Sequence, residues 1–162
     1  MDKCLILSQI SAHLREMQVR AGSSQKTAQK EANSHVGAME SRYDTFKEEA
    51  QYEVTAQEIR IRQYQDGINQ IEALIANASN VKPSRTIRIG SVVVLESETT
   101  EEKFYILSPS GGGFVAKYDD TTVFTLTVDS PLGKQLIGLE VGDECELRTA
   151  TSKTCYVIKE VF

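Results

Sequence analysis

The sequence feature that most constrains the fold is a regular spacing of mostly apolar residues between Val54 and Ala78. Positions alternately three and four residues apart carry Val54, Gln57, Ile61, Tyr64, Ile68, Ile71, Ile75 and Ala78. This heptad rhythm places all its members on one face of a long helix, and that face must be covered by a second helix.

The N-terminal segment predicts the covering helix. It contains no Pro from Lys3 to about Arg42, and its apolar and small residues follow the same spacing at Leu7, Ile10, Leu14, Met17 and Ala21. Two such helices, joined by a short turn near residues 42–46, predict an antiparallel coiled-coil hairpin over residues 1–79. The second helix could also pair with another chain as an adaptor, but the first helix makes this unnecessary, and we expect a monomer.

Residues 43–52 form an acidic and aromatic stretch at the far tip of this hairpin. Asp44, Glu48 and Glu49 lie within it, and Asp44 and Glu48 share one face if the stretch is helical. Carboxylates gathered at an exposed tip repel one another, which favours a positive partner such as a metal ion or a basic surface. A solvated tip with ordinary surface acids is the alternative interpretation.

The pattern changes after residue 79. Residues 80–86 include Pro83, which cannot continue a helix, and predict a linker. Residues 87–162 then contain β-rich runs at 88–95, 103–107, 121–128, 143–148 and 153–162. Ser130 and Pro131 begin a short helix that Gly138 ends. The whole chain is therefore predicted to be α+β, with a small antiparallel-sheet domain carrying one short helix.

Charge and cysteine content exclude several classes of function. The chain has 162 residues, a net charge of −5 and no basic stripe, which argues against a general nucleic-acid-coating protein. Cys4, Cys145 and Cys155 match neither a disulfide framework nor a zinc site, and free thiols in a reducing cytoplasm are expected. No apolar run is long enough for a signal peptide or a membrane span.

Residues 130–144 carry a longer signature, with Ser-Pro, then Leu-Ile-Gly, then Gly-Asp, ahead of the last two predicted strands. This signature resembles the C-terminal domain of the bacterial Gre transcript-cleavage factors. The hairpin, the linker near Pro83 and the length fit the same family, so the resemblance covers nearly the whole chain. It implies an FKBP-like fold without isomerase function for residues 87–162. It also implies docking on RNA polymerase, with these candidate residues: Ser130, Pro131, Leu132, Leu136, Ile137 and Gly138.

The same resemblance implies that the hairpin enters the secondary channel of the polymerase and presents its tip carboxylates to the active-site Mg²⁺. The chain would then be no enzyme and have no cofactor of its own. Asp44 and Glu48, with Glu49, would help to hold a second Mg²⁺ only in the complex, and indirect contact with the 3′ end of the nascent RNA is left open.

The tip departs from the family pattern. The family tip resembles Asp-Leu-Lys-Glu-Asn-Ala-Glu-Tyr, and matching Ala50 and Tyr52 places Glu48 on its glutamate but Thr45 on its aspartate. The spacing from Asp44 to Glu48 is therefore four rather than three. Some family members inhibit polymerase without stimulating cleavage, so a non-cleaving factor that occupies the channel is the alternative.

A stand-alone prolyl isomerase is a less favoured interpretation. Such enzymes use a deep aromatic pocket. This chain contains no Trp, and the aromatic residues after Pro83 form no recognisable motif.

Overall fold

The computed structural model describes residues 1–34, 40–78, 84–97, 102–148 and 153–162. Within the helices and strands, the side chains of residues 28–29, 31–34, 40–48, 50 and 148 lie outside this description. Two long helices begin the fold, α1 at Lys3–Ser34 and α2 at Glu40–Asn77. All eight positions of the predicted α2 seam are buried or half-buried, which confirms the heptad rhythm.

Side-chain hydrogen bonds give the register of the two helices. Gln18 Nε2 donates to Gln65 Oε1 at 3.0 Å, and Gln25 Nε2 donates to Glu58 Oε1 at 3.2 Å. A step of seven residues towards the C-terminus of α1 therefore matches a step of seven residues towards the N-terminus of α2. This is the register of an antiparallel hairpin, as predicted.

The predicted turn at residues 42–46 is wrong. The helix α2 begins at Glu40, so the whole of residues 43–52 belongs to its first turns. Residues 42–46 contain neither Gly nor Pro, and nothing in them ends a helix. The connection between Ser34 and Glu40 lies outside the described residues.

The C-terminal part of the chain forms a six-stranded sheet with the order β3-β4-β2-β1-β6-β5. Its strands are β1 Val92–Ser97, β2 Glu102–Ser108, β3 Val115–Tyr118, β4 Thr121–Thr127, β5 Glu144–Arg148 and β6 Lys153–Val161. A short helix, α3 Pro131–Leu136, lies between β4 and β5. Neighbouring strands are antiparallel except β2 and β4, so the sheet is mixed rather than wholly antiparallel. The reason is the additional short strand β3, which turns the chain round so that β4 returns parallel to β2.

The sheet is buried on both faces. On one face, Leu132 and Leu136 of α3 pack into a core cluster with residues of β1, β2, β5 and β6. On the other face, Val92, Ile106 and Val123 are fully buried as well. The first turns of α1 and the last turns of α2 belong to the same compact unit as the sheet, which is formed by residues 1–13 and 67–162.

Hydrogen bonds join α1 to the edge strand β3 within this unit. Gln9 Nε2 donates to the carbonyl oxygen of Lys117 at 2.8 Å, and Lys117 N–H donates to Gln9 Oε1 at 3.0 Å. The His13 ring stacks on Phe114 with a centroid distance of 4.5 Å.

The middle of the hairpin, residues 14–66, forms a second compact unit. The predicted division of the chain by a linker at residues 80–86 stays a prediction, since residues 80–83 lie outside the described part. No helix within the described residues is apolar enough over a sufficient length to cross a membrane.

Candidate functional site

The Ser-Pro pair of the signature builds the start of α3. Ser130 is the N-cap residue, and its Oγ accepts a hydrogen bond from Gly133 N–H at 3.0 Å and donates one to the carbonyl oxygen of Thr127 at 2.7 Å. Pro131 follows at the start of the helix, where a missing N–H costs nothing. The pair therefore joins α3 to the end of β4 with a defined geometry.

Gly133 allows α3 to approach β4 closely. A Cβ atom at this position would lie 2.1 Å from the carbonyl oxygen of Thr127 and 2.8 Å from Ser130 Oγ. Neither neighbour can give way, because one is backbone and the other is the helix cap. A glycine is therefore required here, a constraint that the sequence alone does not reveal.

The Leu-Ile-Gly and Gly-Asp parts of the signature fix the loop after α3. Gly138 has a φ of 87° and donates its N–H to the carbonyl oxygen of Ile87 at 3.0 Å. Gly142 has a φ of 96° and donates to the carbonyl oxygen of Ile158 at 2.8 Å. Asp143 Oδ2 accepts from Glu140 N–H at 2.8 Å. Both glycines occupy the left-handed region, so the motif specifies a rigid loop.

The predicted docking residues fall into three groups by exposure. Leu132 and Leu136 are 3% and 0% exposed, so they hold α3 on the sheet and do not face solvent. Ser130 is half-buried and its hydroxyl is already bonded. Pro131, Ile137 and Gly138 are exposed.

Sequence reasoning missed Val141, which is as exposed as Ile137 at 41%. The available signal was an isolated apolar residue between Glu140 and Gly142 in a loop. We refer to Pro131, Ile137, Gly138 and Val141 as the α3 surface.

The acidic tip residues lie on one continuous helix. Asp44 and Glu48 are four residues apart on α2, a spacing that places the two positions on one face, while their side chains lie outside the described set. Glu49 is exposed, and Tyr52 is 77% exposed. Among the residues that the structure describes, no group of three or more His, Cys, Asp or Glu side chains could hold a metal ion.

The three cysteines are free thiols. Cys145 pairs in register with Tyr156, so the neighbouring Cys155 points to the opposite face of the sheet. Burial, with a smaller effect of the Cys155 charge, raises the pKa of Cys145 from 9.0 to about 11. This thiol is therefore neutral and a poor nucleophile at physiological pH.

Comparison with protein families gives a match over residues 82–162. The matching model describes the C-terminal region of the transcription elongation factors GreA and GreB. The matched segment contains the whole sheet, α3 and the α3 surface.

Curated relatives match somewhat more than half of the chain. It is 31% identical over 99 residues to transcription elongation factor GreA of Thermotoga petrophila, covering 58% of this chain and 59% of that protein. It is 32% identical over 98 residues to GreA of Cereibacter sphaeroides, with 58% and 59% covered. The chain thus matches less than two thirds of the length of these relatives.

Solved structures are also similar. The transcription factor Gfh1 aligns over 97% of this chain and 93% of its own, with 22% identity and a TM-score of 0.40. The GreA/GreB elongation factor of Nitrosomonas europaea aligns over 59% and 78%, with 24% identity and a TM-score of 0.40.

Proposed function

The chain belongs to the GreA/GreB family of transcription elongation factors, and on that premise we propose that it binds RNA polymerase and modulates elongation through the secondary channel. The observation that carries this proposal is the family match over residues 82–162, since the same segment contains the signature that shapes α3 and its loop. The chemistry would belong to the polymerase, and this chain would not be an enzyme.

The α3 surface suits docking. Ile137 and Val141 are each 41% exposed, and Pro131 is exposed nearby in sequence. Exposed apolar side chains held on a rigid loop lose little entropy when a partner covers them. The hydrogen bonds of Gly138 and Gly142 supply that rigidity.

The tip would act at the metal of the polymerase. Mg²⁺ is bound in many enzymes by one or two carboxylates together with groups of the substrate. Asp44 and Glu48, with the exposed Glu49, would supply such carboxylates to a second Mg²⁺. That ion would activate a water molecule and stabilise the leaving oxygen during cleavage of backtracked RNA. Contact with the RNA 3′ end would be indirect.

A second candidate function is occupation of the channel without cleavage. The observation in its favour is the tip spacing, because Thr45 stands where the family has its aspartate and α2 is helical through residues 44–48. Position 44 is therefore displaced by about 100° around the helix axis relative to position 45. A tip with this spacing could block the channel and still fail to bind the metal.

Docking is tested by comparing two isoleucines. Ile137 and Ile89 are both 41% exposed, but only Ile137 belongs to the α3 surface. We expect Ile137→Glu to weaken binding to purified polymerase core at least about tenfold, as loss of an interface anchor does. Ile89→Glu should leave binding nearly unchanged. Equal binding by both variants, or no association of the wild type at micromolar concentration, would contradict the proposal.

The tip is tested by transcript cleavage in backtracked complexes. We expect Asp44→Ala or Glu48→Ala to abolish any stimulation of cleavage while polymerase binding stays intact. Asp66→Ala, an exposed carboxylate further along α2, is the control and should have no effect. A wild type that inhibits elongation, with inhibition retained in Asp44→Ala, would favour occupation of the channel. Full cleavage activity in both tip variants would refute the metal role.

A further inference from the structure

Glu140 lies in the loop after α3, directly before Val141 of the α3 surface, and its side chain is exposed but held in place. Thr86 Oγ1 donates a hydrogen bond to Glu140 Oε1 at 2.9 Å. The backbones of these two residues also form an isolated antiparallel bridge. Glu140 N–H in turn donates to Asp143 Oδ2 at 2.8 Å. Both the backbone and the carboxylate of Glu140 therefore have defined positions.

The backbone around Glu140 determines the direction of its side chain. Ile87 N–H donates to the carbonyl oxygen of Leu139 at 2.8 Å, and Gly138 N–H donates to the carbonyl oxygen of Ile87 at 3.0 Å. Ile87 is 1% exposed within the core cluster, and Leu139 packs against the same cluster. Neighbouring side chains on extended backbone point to opposite sides. Thr86 and Glu140 therefore face away from the core, towards solvent.

The Glu140 carboxylate keeps its charge and most of its hydrogen-bonding capacity. An ionised carboxylate offers about four lone-pair sites, and the neutral Thr86 hydroxyl occupies one of them. Within the part of the chain that the structure describes, no lysine or arginine forms an ion pair with Glu140. An oriented anion beside exposed apolar side chains suits a partner that presents a cationic side chain next to apolar ones.

The hydrogen bond from Thr86 acts on the carboxylate more than on the loop. The backbone bonds of Gly138 and Gly142 already hold the loop against Ile87 and Ile158. A glutamate side chain that moves freely loses rotamer freedom when a partner binds it. Because Thr86 restricts the Glu140 side chain beforehand, less entropy is lost on docking.

We propose that Glu140 is the charged anchor of the docking surface and pairs with a cationic side chain of the polymerase, while Thr86 positions the Glu140 carboxylate for this pair. The inference rests on the proposed docking of the α3 surface. It adds to that proposal the charge that the partner must carry.

The test measures binding of the full-length chain to purified polymerase core at several salt concentrations. Glu140→Gln removes the charge but keeps a side-chain oxygen that can accept from Thr86. We expect it to weaken binding about three- to fivefold at low salt, as the loss of a partly exposed ion pair does. The difference should shrink at high salt, because salt screens the pair. Glu102→Gln, at an exposed position at the start of β2, is the control and should leave binding unchanged.

A charge reversal strengthens this test. Glu140→Lys places a like charge against the partner's cation, and we expect it to weaken binding at least about tenfold at low salt. Wild-type affinity and salt dependence in Glu140→Gln would overturn the inference. Tighter binding by Glu140→Lys would show that the partner is anionic here and would overturn it as well.

The positioning role of Thr86 is tested in two backgrounds. Thr86→Val removes the hydroxyl at nearly constant shape and should weaken binding about twofold, whereas Thr86→Ser should restore wild-type binding. In a Glu140→Ala background, Thr86→Val should have no further effect, because Thr86 acts through the carboxylate. An equal loss in both backgrounds would mean that Thr86 merely holds the loop, and would overturn its positioning role.

Failure of this inference is distinguishable from failure of the proposed function. A wild-type chain that does not bind polymerase overturns both. A wild-type chain that binds, with binding weakened by Ile137→Glu but not by Glu140→Gln, overturns only the role of Glu140.

Discussion

Individual glycines respond in opposite ways to a single methyl group. At Gly133 a Cβ would lie 2.1 Å from the carbonyl oxygen of Thr127, whereas at Gly22, inside α1, it would meet nothing within 4 Å. We expect Gly133→Ala to lower the free energy of unfolding by about 2–4 kcal/mol through this clash. Gly22→Ala should raise it by about 0.5–1 kcal/mol, because alanine favours the helix. Urea denaturation measures both, and a neutral Gly133→Ala would mean that α3 does not pack this closely.

The Cys145 thiol links stability to alkaline pH. Burial raises its pKa to about 11 from 9.0, so the folded state holds the thiol proton more tightly than the unfolded state. The resulting stabilisation is fully present below pH 9 and is lost as the pH rises from 9 to 11. We expect the stability advantage of the wild type over Cys145→Ala to fall by about 2 kcal/mol across this window. A Cys155→Ala control should show no comparable change, and a constant difference for Cys145→Ala would contradict the assignment.

At the scale of elements, the sequence predicted the periodic helix patterns but not the pairing between strands that are distant in sequence. The α2 seam from Val54 to Ala78 could be predicted because a heptad is a local signal. The strand β3 was missed because Val115–Tyr118 has only four residues, and the parallel pairing of β2 with β4 follows from that insertion. The α3 surface was only partly predictable, since a motif identifies the segment but not which of its leucines faces the sheet.

The contact between Gln9 and β3 shows how an edge strand is covered. The Gln9 carboxamide bonds both the N–H and the carbonyl oxygen of Lys117, much as a neighbouring strand would. We expect Gln9→Leu to lower the free energy of unfolding by about 1–2 kcal/mol, since two hydrogen bonds are lost. The Lys117 amide should also exchange with solvent faster. Gln70→Leu, at an exposed position on α2, is the control, and unchanged Lys117 exchange in Gln9→Leu would refute the role of this contact.

At the scale of the whole molecule, stability is distributed unevenly along the hairpin. Among the described side chains of residues 14–66, the buried apolar ones are Leu14, Ala21 and Val54. The remainder of the buried apolar core belongs to residues 1–13 and 67–162. We expect native-state hydrogen exchange to be faster for amides at residues 54–66 than at residues 68–77 of the same helix, because local opening follows buried contacts. Uniform protection along α2 would show instead that the helix opens as one unit.

The hydrogen bonds of Gln18 and Gln25 define the register of the hairpin, so the hairpin can be shortened by one whole heptad on each helix. The bonds Gln18–Gln65 and Gln25–Glu58 bracket one heptad on each helix, residues 19–25 and residues 58–64. Deleting both heptads together preserves the apolar seam but shortens the arm by about 10 Å, at 1.5 Å per residue. If the proposed function holds, the length of the hairpin sets how far its tip carboxylates reach. The shortened chain should still bind polymerase through the α3 surface, but its tip carboxylates would not reach the metal ion. Unchanged RNA cleavage with the shortened chain would mean that reach is not what the hairpin provides.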